Sequence, residues 1–219
     1  MPRASRDQAE QTRRDIVSAA LRVFARQGYA ASRLDDIAAA LGVTRGAIYG
    51  HFASKRELFL EVIKLSQDPL YELIDRARAK AETGSPRRAL RRFMLGWHEL
   101  LVDNRAHRDS FELILNKTTF AADLKLLYQR EKRLTADVVD CAAQLIERGI
   151  GAGELPGDLD AGFAGLSVYL HLMGVTQSWL FNPRLFSLRR LAEPLTDQVL
   201  AALDAGQPAT WTAPARAAV

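Results

Sequence analysis

The chain has 219 residues, 48% of them apolar, a formal net charge of +4 and a single cysteine. That length holds one large domain or two small ones with a sizeable core, and one cysteine excludes a disulfide framework and a cysteine-ligated zinc cluster. The opening MPRASRDQAEQTRRD has no apolar centre and does not read as a secretory signal, and no apolar run is long enough to span a bilayer, so the expectation is a cytoplasmic protein with no membrane partner.

Apolar residues recur at helical spacing almost throughout, and no alternating β-branched stretch competes. The predicted fold class is therefore all-α, with about nine helices at that periodicity and no internal repeat. The first quarter is basic: residues 1–56 hold 10 Lys/Arg against 5 Asp/Glu, whereas 57–219 hold 20 against 21. This favours an anionic partner for that quarter, with an ordinary solvated surface as the alternative. Residues 1–9 read as a flexible arm. Ile16, Ala19, Ala20, Val23 and Phe24 form one stripe, closed by Gly28. Ser32 with Asp35 resembles a capping box at the start of the next helix. Ile37, Ala38 and Leu41 face inward, and Gly42 stops that helix. Thr44 caps a short helix. Ser54 with Glu57 makes a second capping box, and Leu58, Phe59, Val62 and Ile63 extend the apolar face to Pro69, where a kink or an end is expected.

Ser85 then reads as a cap with Pro86 at the first helical position. Helices are predicted over 87–103, 107–117 and 121–148, and GIGAGELPGD (149–158) is the clearest loop. A long helix follows over 159–181. Asn182-Pro183 breaks it and Ser187 starts the last one. The tail from 206 has the composition of a disordered segment. The implied division is a first domain over 1–55, a second over 56–205 and a tail over 206–219.

Residues 34–51 read as helix–turn–helix. Ile37, Ala38, Leu41, Val43 and Ile48 hold two short helices at a steep angle, and Gly42 supplies a turn residue free to take a positive φ. The second helix would lie in the major groove of double-stranded DNA. Arg45 at its start suits guanine O6/N7. Gly46 and Ala47 carry almost no side chain, so the backbone can approach the duplex. Tyr49 and His51 reach phosphates or thymine methyls. Thr44 and Ser54 sit at helix N-termini, which favour phosphate. Lys55 in the next first turn is mildly unfavourable for its own helix, a cost that a phosphate partner would offset.

LDDIAAALGVTRGAIYGHFASKRELF resembles the DNA-binding segment of TetR-family repressors, and the match runs from about Thr12 through Leu60. More weakly, ELILNKTTF, GELPGDLDA and SWLFNPRLF resemble the regulatory domain of AcrR-like efflux-pump repressors. Gly50 departs from the family, which usually carries an aromatic residue there. An all-α enzyme would need acid–base or metal groups converging on facing helices, and the sequence offers none. The resemblance implies an all-α homodimer. It implies operator DNA on the first three helices and a hydrophobic small-molecule inducer in the remainder, with no cofactor. A TetR-family regulator of lipid or other small-molecule metabolism is the alternative. Carried over by position, the DNA-facing set is Ser32, Arg33, Thr44, Arg45, Gly46, Tyr49, His51 and Lys55. Arg3, Arg6, Arg13 and Arg14 are further candidates for phosphate or minor-groove contacts.

The remainder is rich in large apolar residues at helical spacing. Phe93, Met94, Trp97 and Leu101 share a face. Phe111, Leu115 and Asn116 share another, Val138, Ala142 and Leu145 a third, and Tyr169, Leu172, Met173 and Thr176 a fourth. Each stripe alone reads as core. Together with the polar groups of Trp97, Asn116, Tyr169 and Thr176, which a dry core must satisfy, they make Phe93, Met94, Trp97, Phe111, Leu115, Asn116, Val138, Ala142, Tyr169, Leu172, Met173 and Thr176 the candidate ligand-binding set. The two last helices are apolar on several faces, which leaves Leu166, Leu170, Val199 and Leu203 for a partner subunit. Two-fold symmetry would set the reading helices about 34–36 Å apart, on successive major grooves. The glycines of GIGAGELPG do not form GxGxxG. The four histidines, 51, 98, 107 and 171, lack metal-ligand spacing, and His98 and His171 read first as satisfied buried side chains, with pocket groups as the alternative. Cys141 reads first as a small core residue, with a thiol sensor as the alternative.

Overall fold

The computed structural model describes residues 3–117 and 125–206, and the side chains within them except those of 3–6, 116 and 117. Among these residues are nine helices and no strand. They are α1 (Arg3–Ala31), α2 (Leu34–Leu41), α3 (Arg45–Tyr49), α4 (Lys55–Thr83), α5 (Pro86–Asp103), α6 (Arg105–Lys117), α7 (Lys125–Gly151), α8 (Ala161–Phe181) and α9 (Leu188–Asp204). Helix α1 begins at Arg3, within the segment 1–9 that the sequence reads as an arm. Residues 118–124, where the sequence predicts the start of a helix, and the tail from 207 lie outside the described residues.

The chain forms two compact units, Met1–Pro69 with Asn104–Glu131, and Leu70–Asp103 with Lys132–Val219. The predicted boundary at 55/56 therefore falls inside the first unit. Sequence order alone hides this, because α6 returns from a distant part of the chain to pack on α1. Two helices, α4 and α7, continue from one unit into the other. Of the kink or end expected at Pro69, the end does not occur; α4 runs through it to Thr83. Proline removes one helical hydrogen bond, and the division between the units falls at this point.

The first unit's core is made by α1, α2, α3 and the start of α4. Ile16, Ala20, Phe24, Ile37, Ile48, Phe52, Phe59 and Val62 are buried together, joined by Leu113 of α6 and Leu127 of α7. Phe24 meets Phe59 edge-on at 5.1 Å, and Tyr29 lies 4.5 Å from the same ring. Aromatic pairs at these separations add about 0.5–1.5 kcal/mol each beyond area burial. Gly28 takes φ 75°, ψ 166° and breaks the helical path inside α1.

In the second unit α5 packs along α9. Two Arg–Asp forks align them. Arg87 reaches Asp204 at 2.9 and 2.6 Å, and Arg91 reaches Asp197 at 2.7 and 3.2 Å. Arg189 pairs with Asp103 at the other end. Exposed pairs of this kind contribute little energy singly, so apolar burial of Phe93, Met94, Leu101, Leu200 and Leu203 carries the packing. Ser85 and Pro86 act as expected: Ser85 Oγ accepts from Arg88 N at 3.1 Å. Glu154, which the sequence does not single out, accepts from Ser85 Oγ at 2.8 Å and from Arg87 N at 3.0 Å. A Cβ on Gly165 would lie 2.7 Å from the backbone nitrogen of Ala143, so α8 approaches α7 closely only because that residue is glycine.

Candidate nucleic-acid interface and effector groups

The turn between α2 and α3 rests on Gly42, at φ 73° and ψ 30°, whose N–H donates to Ala39 O at 3.3 Å while Val43 N donates to Ala38 O at 3.0 Å. Those two bonds satisfy the last carbonyls of α2. The helix start is shifted by one residue from the expected pair. Arg33 is the N-cap and its N–H donates to Asp36 Oδ2 at 2.9 Å. Ser32 is buried, and its hydroxyl donates to Gly28 O at 2.6 Å. Thr44 caps α3, accepting from Ala47 N at 3.3 Å. Ser54 accepts from Glu57 N at 3.1 Å, and Glu57 Oε2 accepts from Ala53 N at 2.7 Å.

Ile48 is fully buried, which turns the opposite face of α3 outward. Arg33, Thr44, Arg45, Gly46, Ala47 and Tyr49 are exposed there, and His51 is half-buried. A Cβ on Gly46 would meet nothing closer than Thr44 Oγ1 at 3.8 Å, so the fold itself has room for a side chain at that position. Arg45 is held on two sides. Its Nη1 lies 3.2 Å from Asp35 Oδ2, and its Nη2 donates to the Tyr49 hydroxyl at 2.9 Å. The guanidinium carbon sits 5.3 Å from the Tyr49 ring centroid. The hydrogen bond to Tyr49 and the charge of Asp35 both raise its pKa. Sequence spacing hides this cluster, because Asp35 reads there as part of the helix cap.

Two of the expected phosphate donors are occupied inside the fold. Lys55 Nζ donates to Tyr29 O and Ser32 O at 2.9 Å each, with a longer contact to Ala30 O at 3.5 Å, and sits 4.4 Å from the Tyr29 ring centroid. An ammonium over carbonyls at and just past the end of α1 is well placed by charge. Arg13 pairs with Glu61 at 2.8 Å and lies 4.9 Å from the Phe52 ring centroid. Burial pushes Glu61 up, but hydrogen bonds from Lys64 and Arg13 outweigh it and hold the carboxyl below its ordinary value. Arg14 is exposed and bonds Gln11 at 3.0 Å.

The candidate ligand residues divide between the units. Phe111, Leu115 and Asn116 belong to the first unit and the other nine to the second. Phe111 stacks on His107 at 5.6 Å, and His107 Nδ1 lies 3.0 Å from Ser66 O. The side chain of Asn116 lies outside the described residues. In the second unit Phe93, Met94, Trp97, Val138, Ala142, Leu172 and Thr176 are buried, while Tyr169 and Met173 are half-buried. Trp97 Nε1 donates to Thr176 Oγ1 at 2.9 Å, and that hydroxyl donates to Leu172 O at 2.7 Å. The Tyr169 hydroxyl lies 3.4 Å from Thr135 Oγ1. These polar groups are satisfied by the chain itself and need no ligand.

The unsatisfied groups lie elsewhere. Both ring nitrogens of His98 and Nε2 of His171 are buried without a hydrogen-bond partner, contrary to the expectation of satisfied histidines. Burial, with a smaller contribution in the same direction from His171, pushes the His98 pKa down to about 4. Burial likewise takes His107 down to about 4, against a smaller upward pull from its bond to Ser66. In the first unit, Gln67 Nε2 donates to Glu131 Oε1 at 2.5 Å, and burial raises the Glu131 pKa. Glu131 sits at helical spacing between Leu127 and Leu134, both buried. A carboxyl on that apolar stripe was the available signal. Cys141 is fully buried, and burial pushes its thiol up to about 11.

Leu166 and Leu170 are exposed, at 40% and 59%. Phe163, Phe181, Leu185 and Leu191 are exposed as well. Val199 is half-buried, and Leu203 is buried in its own unit. A groove of about 540 Å³ in the second unit is lined by His171, Val175 and Ser178 of α8 and by Leu185, Leu191 and Leu195. No group of three metal-ligating side chains occurs among the described residues. No helix among them is long and apolar enough to cross a membrane.

Residues 16–62 match the family of bacterial regulatory proteins of the tetR type, and residues 85–205 match the C-terminal region of MAATS-type transcriptional repressors. The HTH-type transcriptional regulator AcrR of Shigella flexneri is 34% identical over 88% of this chain and 89% of its own length. The HTH-type transcriptional regulator TtgR of Pseudomonas putida is 33% identical over 84% and 87%. Among solved structures, NalD of Pseudomonas aeruginosa, the secondary repressor of the MexAB-OprM multidrug efflux pump, superimposes with a TM-score of 0.77. It is 27% identical, and the match covers 90% of this chain and 98% of that one. An exposed reading helix set by a glycine turn, joined to a second helical unit and matched along nearly its whole length, places the chain in the TetR family of DNA-binding transcriptional regulators, and not among enzymes.

Proposed function

We propose that the chain acts as a homodimer that represses a multidrug efflux-pump operon and leaves its operator when a hydrophobic small molecule binds. The observation that carries this reading is the likeness to NalD, a repressor of such a pump, across both units. Arg33, Thr44, Arg45, Gly46, Tyr49 and His51 form the DNA-facing set, with Arg45 and Tyr49 at its centre. Ser32 and Lys55 hold that surface in place. The partner subunit covers Leu166 and Leu170 together with exposed Phe163 and Phe181. The inducer occupies the second unit near Phe93, Met94, Val138, Ala142, Tyr169, Leu172 and Met173. Trp97 and Thr176 belong to the same region, and their mutual hydrogen bond fixes α5 against α8.

Release follows from linkage. A ligand weakens DNA binding only through its differential affinity for the bound and released conformations. Moving the population from 1% to 99% released requires roughly 5.5 kcal/mol of such preference. Helix α4 begins at the reading surface and continues into the second unit, which makes it the element able to carry a displacement.

Deletion of the gene, followed by measurement of transcripts from neighbouring transport genes, tests this. A pump transcript that rises on deletion, falls on complementation and stays high with Arg45→Ala supports the reading. A transcript set confined to lipid or other metabolic genes replaces the efflux assignment with the metabolic one.

A further inference from the structure

We propose that Asp35 determines specificity: its carboxylate, bonded to Arg45 on the DNA-facing surface, opposes phosphate-only binding and so makes the reading helix selective for base edges. This inference rests on α3 being the DNA-reading helix.

Asp35 is a first-turn residue of α2, yet the cap hydrogen bond is made by Asp36. The Asp35 side chain is 59% exposed and the Arg45 side chain 55%, so both stand at the surface that meets the duplex. Asp35 takes one Nη1 hydrogen of Arg45, and the Tyr49 hydroxyl takes one Nη2 hydrogen. A guanidinium has five N–H donors in a rigid fork. Two are engaged here, and three remain for an acceptor on the duplex. The side chain is oriented before DNA arrives, rather than sampling its rotamers.

Charge then separates the two kinds of acceptor. Non-specific affinity comes almost wholly from phosphates and counterion release. A carboxylate beside Arg45 repels each approaching phosphate and cancels part of the arginine's attraction. Guanine O6 and N7 are uncharged acceptors, so the same carboxylate costs them far less while still orienting the fork. A group that penalises the wrong partner more than the right one raises specificity without adding affinity.

The test uses the full-length protein, the tightest duplex recovered from random-sequence selection with the wild type, and a scrambled duplex of the same length and composition. Asp35→Asn keeps an oxygen acceptor for Arg45 but removes the charge. Asp35→Ala removes both. For Asp35→Asn, scrambled-duplex affinity should rise about fivefold while selected-duplex affinity moves less than twofold, and the non-specific salt slope should steepen by about one phosphate contact. Asp35→Ala should show the same non-specific gain and also lose selected-duplex affinity. A specificity ratio unchanged in both variants, with melting temperatures like the wild type, overturns the inference. If Arg45→Ala binds the selected duplex as well as the wild type, the assignment of the reading helix falls, and this inference with it. If Arg45→Ala loses that duplex while Asp35→Asn keeps the wild-type ratio, the Asp35 inference alone falls.

Discussion

Lys55 offers a sharp test of whether the reading surface is held by the charges that the sequence suggests should meet DNA. Replacing it with methionine keeps the stem length and removes the ammonium. The loss falls on two hydrogen bonds of 2.9 Å to Tyr29 O and Ser32 O and on the contact with the Tyr29 ring at 4.4 Å. Hydrogen bonds to a charged group contribute about 1.5 kcal/mol each at the low end, which suits their half-buried position. The ring contact adds about 0.5 kcal/mol. Freeing a lysine side chain returns roughly 1–1.5 kcal/mol of conformational entropy, so the net destabilisation expected is about 2 kcal/mol. For a chain of this size each kcal/mol lowers the melting temperature by about 2–4 °C, giving a fall of about 4–8 °C. The melt is followed by circular dichroism at fixed protein concentration, because dimerisation makes the midpoint concentration-dependent. The companion measurement is operator affinity against salt. An internal clamp leaves the slope of log K against log salt as in the wild type, whereas a lost phosphate contact reduces it by about 0.9. An unchanged melting temperature with a slope smaller by that amount would refute the internal role.

Glycines 42 and 50 should respond in opposite directions to alanine. Gly42 sits at φ 73° and Gly50 at φ −65°, with its nearest would-be Cβ contact an ordinary 3.4 Å. Gly42→Ala should destabilise by about 1–2 kcal/mol, and Gly50→Ala should stabilise by about 0.4–1 kcal/mol, both read by urea denaturation. Stability should fall as pH drops from about 6.5 towards 4. His98 and His107 have folded pKa values near 4, so the unfolded chain takes protons there that the folded chain refuses. Above pH 6.5 both states are neutral and this dependence vanishes, and below pH 4 the loss is complete. Each histidine then accounts for up to about 3 kcal/mol. His98→Leu should remove part of the slope without lowering stability at pH 7, and a slope identical to the wild type would contradict this. Cys141 should react with a thiol reagent only on unfolding, given its burial and raised pKa; rapid modification of the native protein would contradict that. Trp97→Ala should destabilise by about 3–5 kcal/mol through cavity formation, so Trp97→Phe is the substitution for separating inducer binding from folding.

Periodicity and caps located the helices closely, because Ser54, Ser85 and Thr44 announce their helix starts locally. The reading surface was legible for the same reason: Gly42 fixes the turn, and Ile48 fixes which face of α3 points inward. What sequence spacing did not reveal was side-chain traffic between elements far apart in the chain. Lys55 looked like a misplaced cation until the carbonyls of α1 appeared beside it. Ser32 looked like a cap and instead bonds back to Gly28. Trp97 and Thr176, 79 positions apart, satisfy one another, which no helical stripe discloses. The same blindness hid the Asp35–Arg45 contact. Nor does sequence spacing disclose that α6 packs on α1, a contact between elements far apart in the chain. Pro69 was read by its local rule as a kink or an end, and of these the end is excluded, because the helix continues through it.

Control of specific DNA binding by a small molecule is tested most directly by a fluorescence-anisotropy titration of the protein on labelled DNA from its own upstream intergenic region, at fixed salt with excess non-specific competitor, with and without a panel of hydrophobic drugs. Ligand-gated repression predicts competitor-resistant binding that at least one compound weakens tenfold or more, with Arg45→Ala failing to bind. Specific binding that no compound weakens, although some of them bind the protein, would contradict it.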